Sequence, residues 1–463
     1  MAYEQSMQRI LLESPERRSL ALAALSWIYH ARRPLTISEL LQALAINPAA
    51  RRLSEEDRVS SNLVLDVCAG LVVLDRRSSV ARFVHYSIFE YFHQESAHRR
   101  WFPSATQDIA RVILAYLISE NFVCNGFAVN ATVESHPFLN YAAHFWGHHV
   151  EEGYHEGWDK MACEFLEEQP RAQLVARILD GDSESRLRPR RPAPMYPCSD
   201  LSVLLAARAG ALETLKMLVR RGHSLACRDA SGRTALHWAA RGSFHQTLTL
   251  ILQEVDVDAI TPDGLTALHW AAKHGHVQVV VDLIRYGADP GRSAADGRTA
   301  LHWAASRGHE PVVRVLLADD RVDSSCLSMN AWTALHWAAC CGNPLLVVCG
   351  LDSREEASKQ LFTTAKSPAR ERLPCVGTGT QGAKGYEETV ILLLEAGVSP
   401  DFLTKRGRTA MHWAAASGCS SLVQLLRDRG AALSTTDVEG KGPWHFAVEN
   451  GATSVITLLC PVA

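Results

Sequence analysis

The chain has 463 residues, 47% of them apolar and 21% charged, a balance that fits about three folded domains and excludes wholesale disorder. Lys plus Arg number 47 against 50 Asp plus Glu, a net charge of −3, so no overall field draws the chain to nucleic acid or an anionic membrane. Its 12 cysteines are scattered from Cys68 to Cys460 without a C-x-x-C pair, and no apolar run reaches the ~18 residues of a membrane span. The N-terminus, MAYEQSMQRILLESPERR, lacks the apolar stretch of a secretory signal. A reducing, intracellular setting is expected, with no disulfide framework.

From Arg18 the pattern is helical: RRSLALAALSWIYHA sets Leu20, Leu22, Leu25, Ile28 and Tyr29 on one apolar face. Thr36 and Glu39 have capping-box spacing ahead of LLQALAI. A third helix is expected over about Glu55–Ala69, then a β-hairpin of LVVLD and VARFVHY joined by Arg76-Arg77-Ser78-Ser79. Ser87 and Glu90 repeat the capping-box spacing before SIFEYFHQ. Three helices, a hairpin and a helix are the layout of a winged helix, placed at residues 17–96. Its third helix opens Ser54-Glu55-Glu56-Asp57 and carries Asp66, charges that repel phosphate. Only the wing arginines, Arg76, Arg77 and Arg82, favour duplex DNA. Packing against protein is therefore the leading reading, and a DNA-associated regulator is the alternative.

Residues 97–180 read as a helical extension. His144 and His148, at i and i+4, lie near His149 and His155. No carboxylate is placed with them, and Phe145-Trp146 points to core packing, so no metal is expected there. Residues 181–199 are a Pro/Arg-rich linker, whose RLRPRRP offers a nuclear-import alternative to a cytoplasmic location.

The remainder is periodic. TALHWAA begins at Thr234, Thr266, Thr299 and Thr333, TAMHWAA at Thr409 and GPWHFAV at Gly442, with a degenerate copy at Leu201. The spacing is 32 to 34 residues, except for one gap of 76. Each unit continues with a glycine, an apolar V-x-x-L stretch and Gly-Ala-Asp, as in Gly275, Val280, Leu283, Gly287, Ala288 and Asp289. This describes a helix, a tight turn, a second helix ending on a left-handed glycine, and a hairpin to the next unit. Neither helix buries its apolar face alone, so the units must stack. The long gap contains residues 344–386, which lack helical or strand periodicity; they are either a loop within one repeat or a retained intron. Gly377-Thr-Gly379-Thr-Gln-Gly382 in this stretch matches G-x-G-x-x-G. The helix after it already has its place in a repeat, and Ala383 stands where a Walker lysine would be, so nucleotide binding is not expected.

The periodic part, residues 200–463, closely resembles ankyrin repeats, which implies a mostly α fold: a winged helix and helical extension, then an α-solenoid of about seven repeats. The resemblance implies that Thr and His of each T-x-L-H pair bond to each other and to backbone. The pairs are Thr234 with His237, Thr266 with His269, Thr299 with His302, Thr333 with His336 and Thr409 with His412. These histidines sit one per repeat about 10 Å apart, too far to share an ion bound at about 2 Å. The tryptophan column, Trp238, Trp270, Trp303, Trp337 and Trp413, is expected to pack along the first helices. The resemblance places partner contacts at the hairpin tips: Arg233, Leu265, Arg298, Trp332, Arg408 and Lys441.

The runs ERRSLALAALSWIYHARRPLTISELLQALAI, LVLDVCAGLVVLD, FVHYSIFEYF and HPFLNYAAHFWGHH resemble the region after the NTPase in fungal NACHT–ankyrin proteins, STAND-type switches similar to NOD-like receptors. That winged-helix segment also carries the name of GPI inositol-deacylase. No deacylase chemistry follows, since a G-x-S-x-G elbow is absent. The resemblance makes residues 1–16 the remnant of an upstream helical region. Members carry a P-loop NTPase upstream, and no G-x-x-x-x-G-K-[ST] occurs in this chain. The expectation is a non-enzymatic interaction protein with a protein ligand, no cofactor, no small-molecule substrate and no membrane partner, with nucleic acid entering only through the DNA-associated alternative.

Overall fold

A computed structural model describes residues 2–53, 59–75, 77–119, 134–153, 155, 157–181, 200–340 and 380–459. It divides into two compact units, residues 1–230 and 231–463.

The first unit opens with α1 (Ala2–Leu12) and α2 (Pro15–His30). The latter starts earlier than its apolar face alone suggests. Ser14 caps it by accepting from the Arg17 N–H, and Pro15 fits a first-turn position that needs no N–H. The Thr36–Glu39 capping box begins α3 (Ile37–Leu44): the Thr36 N–H donates to Glu39 Oε2 at 2.8 Å and the Glu39 N–H to Thr36 Oγ1 at 3.3 Å. A two-residue hairpin, β1 (Ile46–Asn47) with β2 (Arg52–Leu53), follows without a signal in the sequence. The third helix, α4, spans only Ser61–Val67, because Ser60 caps it by accepting from the Leu63 N–H. The acidic residues at 54–58 lie outside the described residues, while Asp66 accepts from Arg17 Nη2 at 2.6 Å.

Strands β3 (Val72–Asp75) and β4 (Val80–Phe83) pair antiparallel, Val72 opposite Phe83. The segment before α3 joins them, with the Ala81 N–H donating to the Leu35 carbonyl at 3.1 Å and the Ile37 N–H to that of Ser79 at 2.8 Å. Helix α5 (Tyr86–His93) is capped by His85 instead of Ser87: His85 Nδ1 accepts from the Ser87 N–H at 3.2 Å, and the Ser87 hydroxyl bonds Tyr3 Oη at 2.5 Å.

The extension comprises α6 (Glu95–Trp101), α7 (Ala105–Ile118), α8 (Phe138–Glu152), α9 (Trp158–Glu167) and α10 (Gln169–Gly181). Its core is aromatic: Trp27 meets Phe138 edge-on at 5.3 Å, and Trp146 meets Phe165 at 5.1 Å. The four neighbouring histidines are dispersed. His149 is buried and bonds Tyr141 Oη at 2.8 Å, His144 Nδ1 donates to the Asn140 carbonyl at 2.8 Å, and His155 is exposed. Burial pushes His149 down to about 3. The first ankyrin pair, α11 (Leu201–Ala209) and α12 (Leu212–Arg220), packs on α8, α9 and α10. Contact is backbone-close: a Cβ on Gly147 would stand 2.3 Å from the Ala209 carbonyl oxygen. The break between units thus falls after residue 230, one repeat beyond the linker where composition alone placed it.

The second unit repeats a helix pair: α13 and α14 (Ala235–Gly242, His245–Ile251), α15 and α16 (Ala267–His274, Val277–Arg285), α17 and α18 (Ala300–Arg307, Glu310–Leu317). It continues with α19 and α20 (Ala334–Ala339, Thr380–Glu395), α21 and α22 (Ala410–Ser417, Ser420–Asp428), and α23 and α24 (Pro443–Glu449, Thr453–Leu459). Helix α20 begins at Thr380, earlier than the Glu387 that the repeat spacing indicates. Residues 341–379, most of the period-breaking segment and the start of its G-x-G-x-x-G match, lie outside the described residues, as does RLRPRRP.

Successive hairpins are zipped by one backbone bond each. The N–H groups of Ala295, Met329, Lys405 and Val438 donate to the carbonyls of Asp263, Asp296, Asn330 and Arg406 at 2.9 to 3.2 Å. Close approach demands glycine at the tip: Gly264 has φ +74°, and a Cβ there would stand 2.8 Å from the Ala295 nitrogen.

Candidate partner-binding surface

Each inner helix of the array starts with the same local bond. The Thr234 N–H donates to His237 Nδ1 at 3.1 Å, and Thr266, Thr299, Thr333 and Thr409 do the same to their histidines at 3.0 to 3.1 Å. An Nδ1 that accepts carries no hydrogen, so the neutral ring's hydrogen sits on Nε2. That nitrogen donates to the next hairpin: His237 to the Leu265 carbonyl at 3.0 Å, His269 to Arg298 at 3.2 Å, His302 to Trp332 at 3.1 Å. His336 reaches Phe402 at 3.0 Å and Arg408 at 3.3 Å, and His412 reaches Lys441 at 3.3 Å. One tautomer therefore fixes the turn and links consecutive repeats. Burial pulls His269, His302 and His336 down to about 4, which keeps the required neutral form.

A second link sits where the two helices of a repeat turn. His276 Nε2 donates to the Arg241 carbonyl at 2.8 Å, and His309 Nε2 to that of Lys273 at 3.1 Å. In the interrupted repeat Tyr386 takes this place, its hydroxyl donating to the Ser306 carbonyl at 3.2 Å. Tyr386 is buried and packs against Gly308, so it belongs to the repeat and not to the segment that breaks the period.

The tip residues do not all project. The carbonyls of Leu265, Arg298, Trp332, Arg408 and Lys441 receive the histidine bonds above. Several of their side chains, together with that of Arg233, fold down onto the tryptophan column. Arg233 lies 4.3 Å from the Trp238 ring centre, and Arg298 3.7 Å from Trp303 and 5.2 Å from Trp337. Arg241 lies between Trp238 at 5.3 Å and Trp270 at 5.8 Å, and Lys273 between Trp270 and Trp303 at 5.3 Å each. Trp332, only 3% exposed, takes the cation's slot in its repeat, 4.8 Å from Trp337 and 4.5 Å from Trp413. Buried so, it is not the exposed aromatic anchor that its tip position suggests. Arg408 closes the row between Trp413 at 5.5 Å and Phe446 at 4.6 Å.

Arg298 and Arg408 also pair with Asp296 and Asp437 and are 12% and 13% exposed. Lys441 pairs with Glu449 at 2.8 Å. The indole N–H groups of Trp270, Trp303, Trp337 and Trp413 meet no acceptor among the described residues, so the ring faces carry the column's interactions. Sequence reasoning named the tips and the tryptophans separately; Arg241 and Lys273, which interleave them, lie seven positions into their helices and escaped it. Among the described residues no group of three metal-ligating side chains converges, and no helix is long and apolar enough to cross a membrane.

Comparison with known proteins supplies the family context. A family model described as ankyrin repeats (3 copies) matches residues 203–294, 280–351 and 381–462, and the stretch it skips lies within 344–386. A second, described as the winged helix domain of GPI inositol-deacylase, matches residues 8–101. The azaphilone pigments biosynthesis cluster protein L of Monascus ruber is 30% identical over 140 residues, 27% of this chain and 29% of that protein. The putative palmitoyltransferase ZDHHC13 of Danio rerio is 27% identical over 121 residues, 26% of this chain and 19% of that protein. The chain spans less than a third of the length of these curated relatives. Among solved structures, the human ASB11 ankyrin repeat domain is 23% identical with a TM-score of 0.42, covering 56% of this chain and 99% of that one. The chain thus carries a winged helix of the GPI inositol-deacylase type followed by ankyrin repeats, an architecture of protein interaction.

Proposed function

We propose that the ankyrin array binds a protein ligand and that residues 17–180 relay the event to a NACHT-type NTPase, in signalling or non-self recognition. The observation that carries this reading is the first repeat. Helices α11 and α12 share a core with α8, α9 and α10, so an ankyrin element is built into the same compact unit as the winged helix. The protein acts as a non-enzymatic module, cytoplasmic, with the nucleus as the alternative. Crosslinking mass spectrometry of complexes captured on the whole chain tests the first half: ligand crosslinks are expected on residues 231–459, and crosslinks confined to residues 1–180 would overturn it. Coexpression with a NACHT-type NTPase tests the relay; hydrolysis that ignores bound ligand removes the coupling. Duplex-DNA reading by the winged helix rests on the wing arginines of the sequence alone.

A further inference from the structure

We infer that the repeat of α23 and α24 docks a hairpin-and-helix repeat of a second polypeptide, on the face turned away from α21 and α22. This names a partner for the protein-binding reading and rests on it.

The interfaces inside the array define what covers such a face. In the preceding repeats the second residue of the inner helix, such as Leu236 or Met411, and the sixth, such as Ala240 or Ala415, are fully buried. Trp444 and Val448 hold the same two places in α23 and are 40% and 44% exposed. A repeat packs behind α23 just as one packs behind Met411, so what α23 lacks is cover from the other side.

The polar groups show the same contrast. Each interior hairpin accepts one N–H from its neighbour, as the Asp263 and Arg406 carbonyls do from Ala295 and Val438 at 2.9 and 3.0 Å. The equivalent carbonyl of Glu439 meets no N–H among the described residues. His445 Nδ1 accepts from the Gly442 N–H at 3.1 Å, so its hydrogen sits on Nε2 as in the other repeats. In those repeats Nε2 donates to a hairpin carbonyl; that of His445 meets no acceptor among the described residues, and the ring is exposed.

Two apolar side chains, a donor and an acceptor therefore keep the arrangement of an inter-repeat contact. The complement is a backbone N–H and a carbonyl three residues apart, directly ahead of a helix. In the interior copy these are the Ala295 N–H and the Arg298 carbonyl, ahead of α17. A lone β-strand brings both backbone groups but no helix to cover Trp444 and Val448, and a lone helix spends both groups on itself. A repeat supplies all of them, and its docking adds the nearest-neighbour interface on which repeat stability rests.

Calorimetry of the whole chain with a peptide of its own residues 290–340, which carries Ala295, Arg298 and α17 to α19, tests this. One-to-one binding with a gain of helical circular dichroism is expected. Trp444→Asp and Val448→Asp in the chain should each weaken it about ten-fold or more, and Tyr286→Asp, exposed elsewhere in the array, should leave it unchanged. Ala295→Pro in the peptide deletes the donor N–H, while Pro262 fills the same hairpin place in another repeat, so the turn survives; binding should fall about five-fold. No saturable binding, face variants that bind like the parent, or indifference to Ala295→Pro overturns the proposal. A chain that dimerises until Val448→Asp is introduced, and ignores the peptide, gives the face to a second copy and overturns it too. Partners captured on the whole chain that crosslink only to residues 231–430 overturn this docking and leave ligand binding standing.

Discussion

In residues 1–230 the bulkiest fully buried side chains, Trp146, Tyr116, Tyr141, Phe92, Phe138 and Phe165, come from α5 and from α7, α8 and α9, and Trp27 of α2 meets Phe138 across more than a hundred residues. In residues 231–463 the buried positions are mostly alanine, leucine and valine, with one histidine per repeat, and the fixing bonds recur with the repeat. The first unit concentrates its stability in a few aromatic contacts that close long loops. The second distributes it over similar increments, each shared only by neighbours. A change of one residue should therefore be felt throughout the first unit and only locally in the second.

The sharpest break should come from Trp146→Ala. It empties the space beside Phe165 and should cost about 4 kcal/mol, with faster hydrogen exchange across α7 to α10. Trp303→Ala in the array should raise exchange only in the repeats beside it. Uniform loss in both units would erase the contrast.

Acid is the next probe. An imidazole whose folded pKa lies below its ordinary value of ~6.5 takes up a proton on unfolding, so its contribution is complete above that pH and is lost as pH falls toward the folded value. His269, His302 and His336, each drawn to about 4, should cost the array on the order of 3 kcal/mol apiece across pH 6.5 to 4. In the first unit His149, at about 3, carries the largest share, with His30 and His148 also lowered by burial. His149→Gln should flatten the first unit's acid response markedly, whereas no single array substitution should do so. Exchange measured at pH 7 and pH 4.5 decides it.

Smaller effects probe the hairpins. Gly264→Ala forces a Cβ into the Ala295 nitrogen and a left-handed backbone on alanine, and should cost about 2 kcal/mol. The reverse experiment exists in nature: Ala331 holds φ +56° where the other hairpins place glycine. Ala331→Gly should stabilise the array by up to about 1 kcal/mol, read as a raised denaturation midpoint.

The repeats were legible because their period writes T-A-[LM]-H-W-A-A five times, and the Thr36–Glu39 box because it needs only local spacing. Other features depended on neighbours that a sequence does not place side by side. The start of α4 at Ser61 followed a cap at Ser60 inside what looked like continuous helix. His85 displaced Ser87 as a cap because its imidazole reaches the same N–H. Trp332 shares the tip position with Arg298 and Arg408, yet its fate was set by two tryptophans, one of them in the following repeat. Tyr386 looked like the last residue of an irregular stretch until the Ser306 carbonyl supplied its partner.

The single-tautomer histidine bond has a mechanical consequence. Pulled end to end, the array loads its inter-repeat bonds in series, each backed by one hairpin bond, by a second link such as that of His276 or His309, and by the apolar packing of its neighbours. It should yield one repeat at a time at modest force, lengthening in steps and re-forming when released, like a spring. The aromatic core of residues 1–230, loaded in parallel, should hold until it fails as a whole.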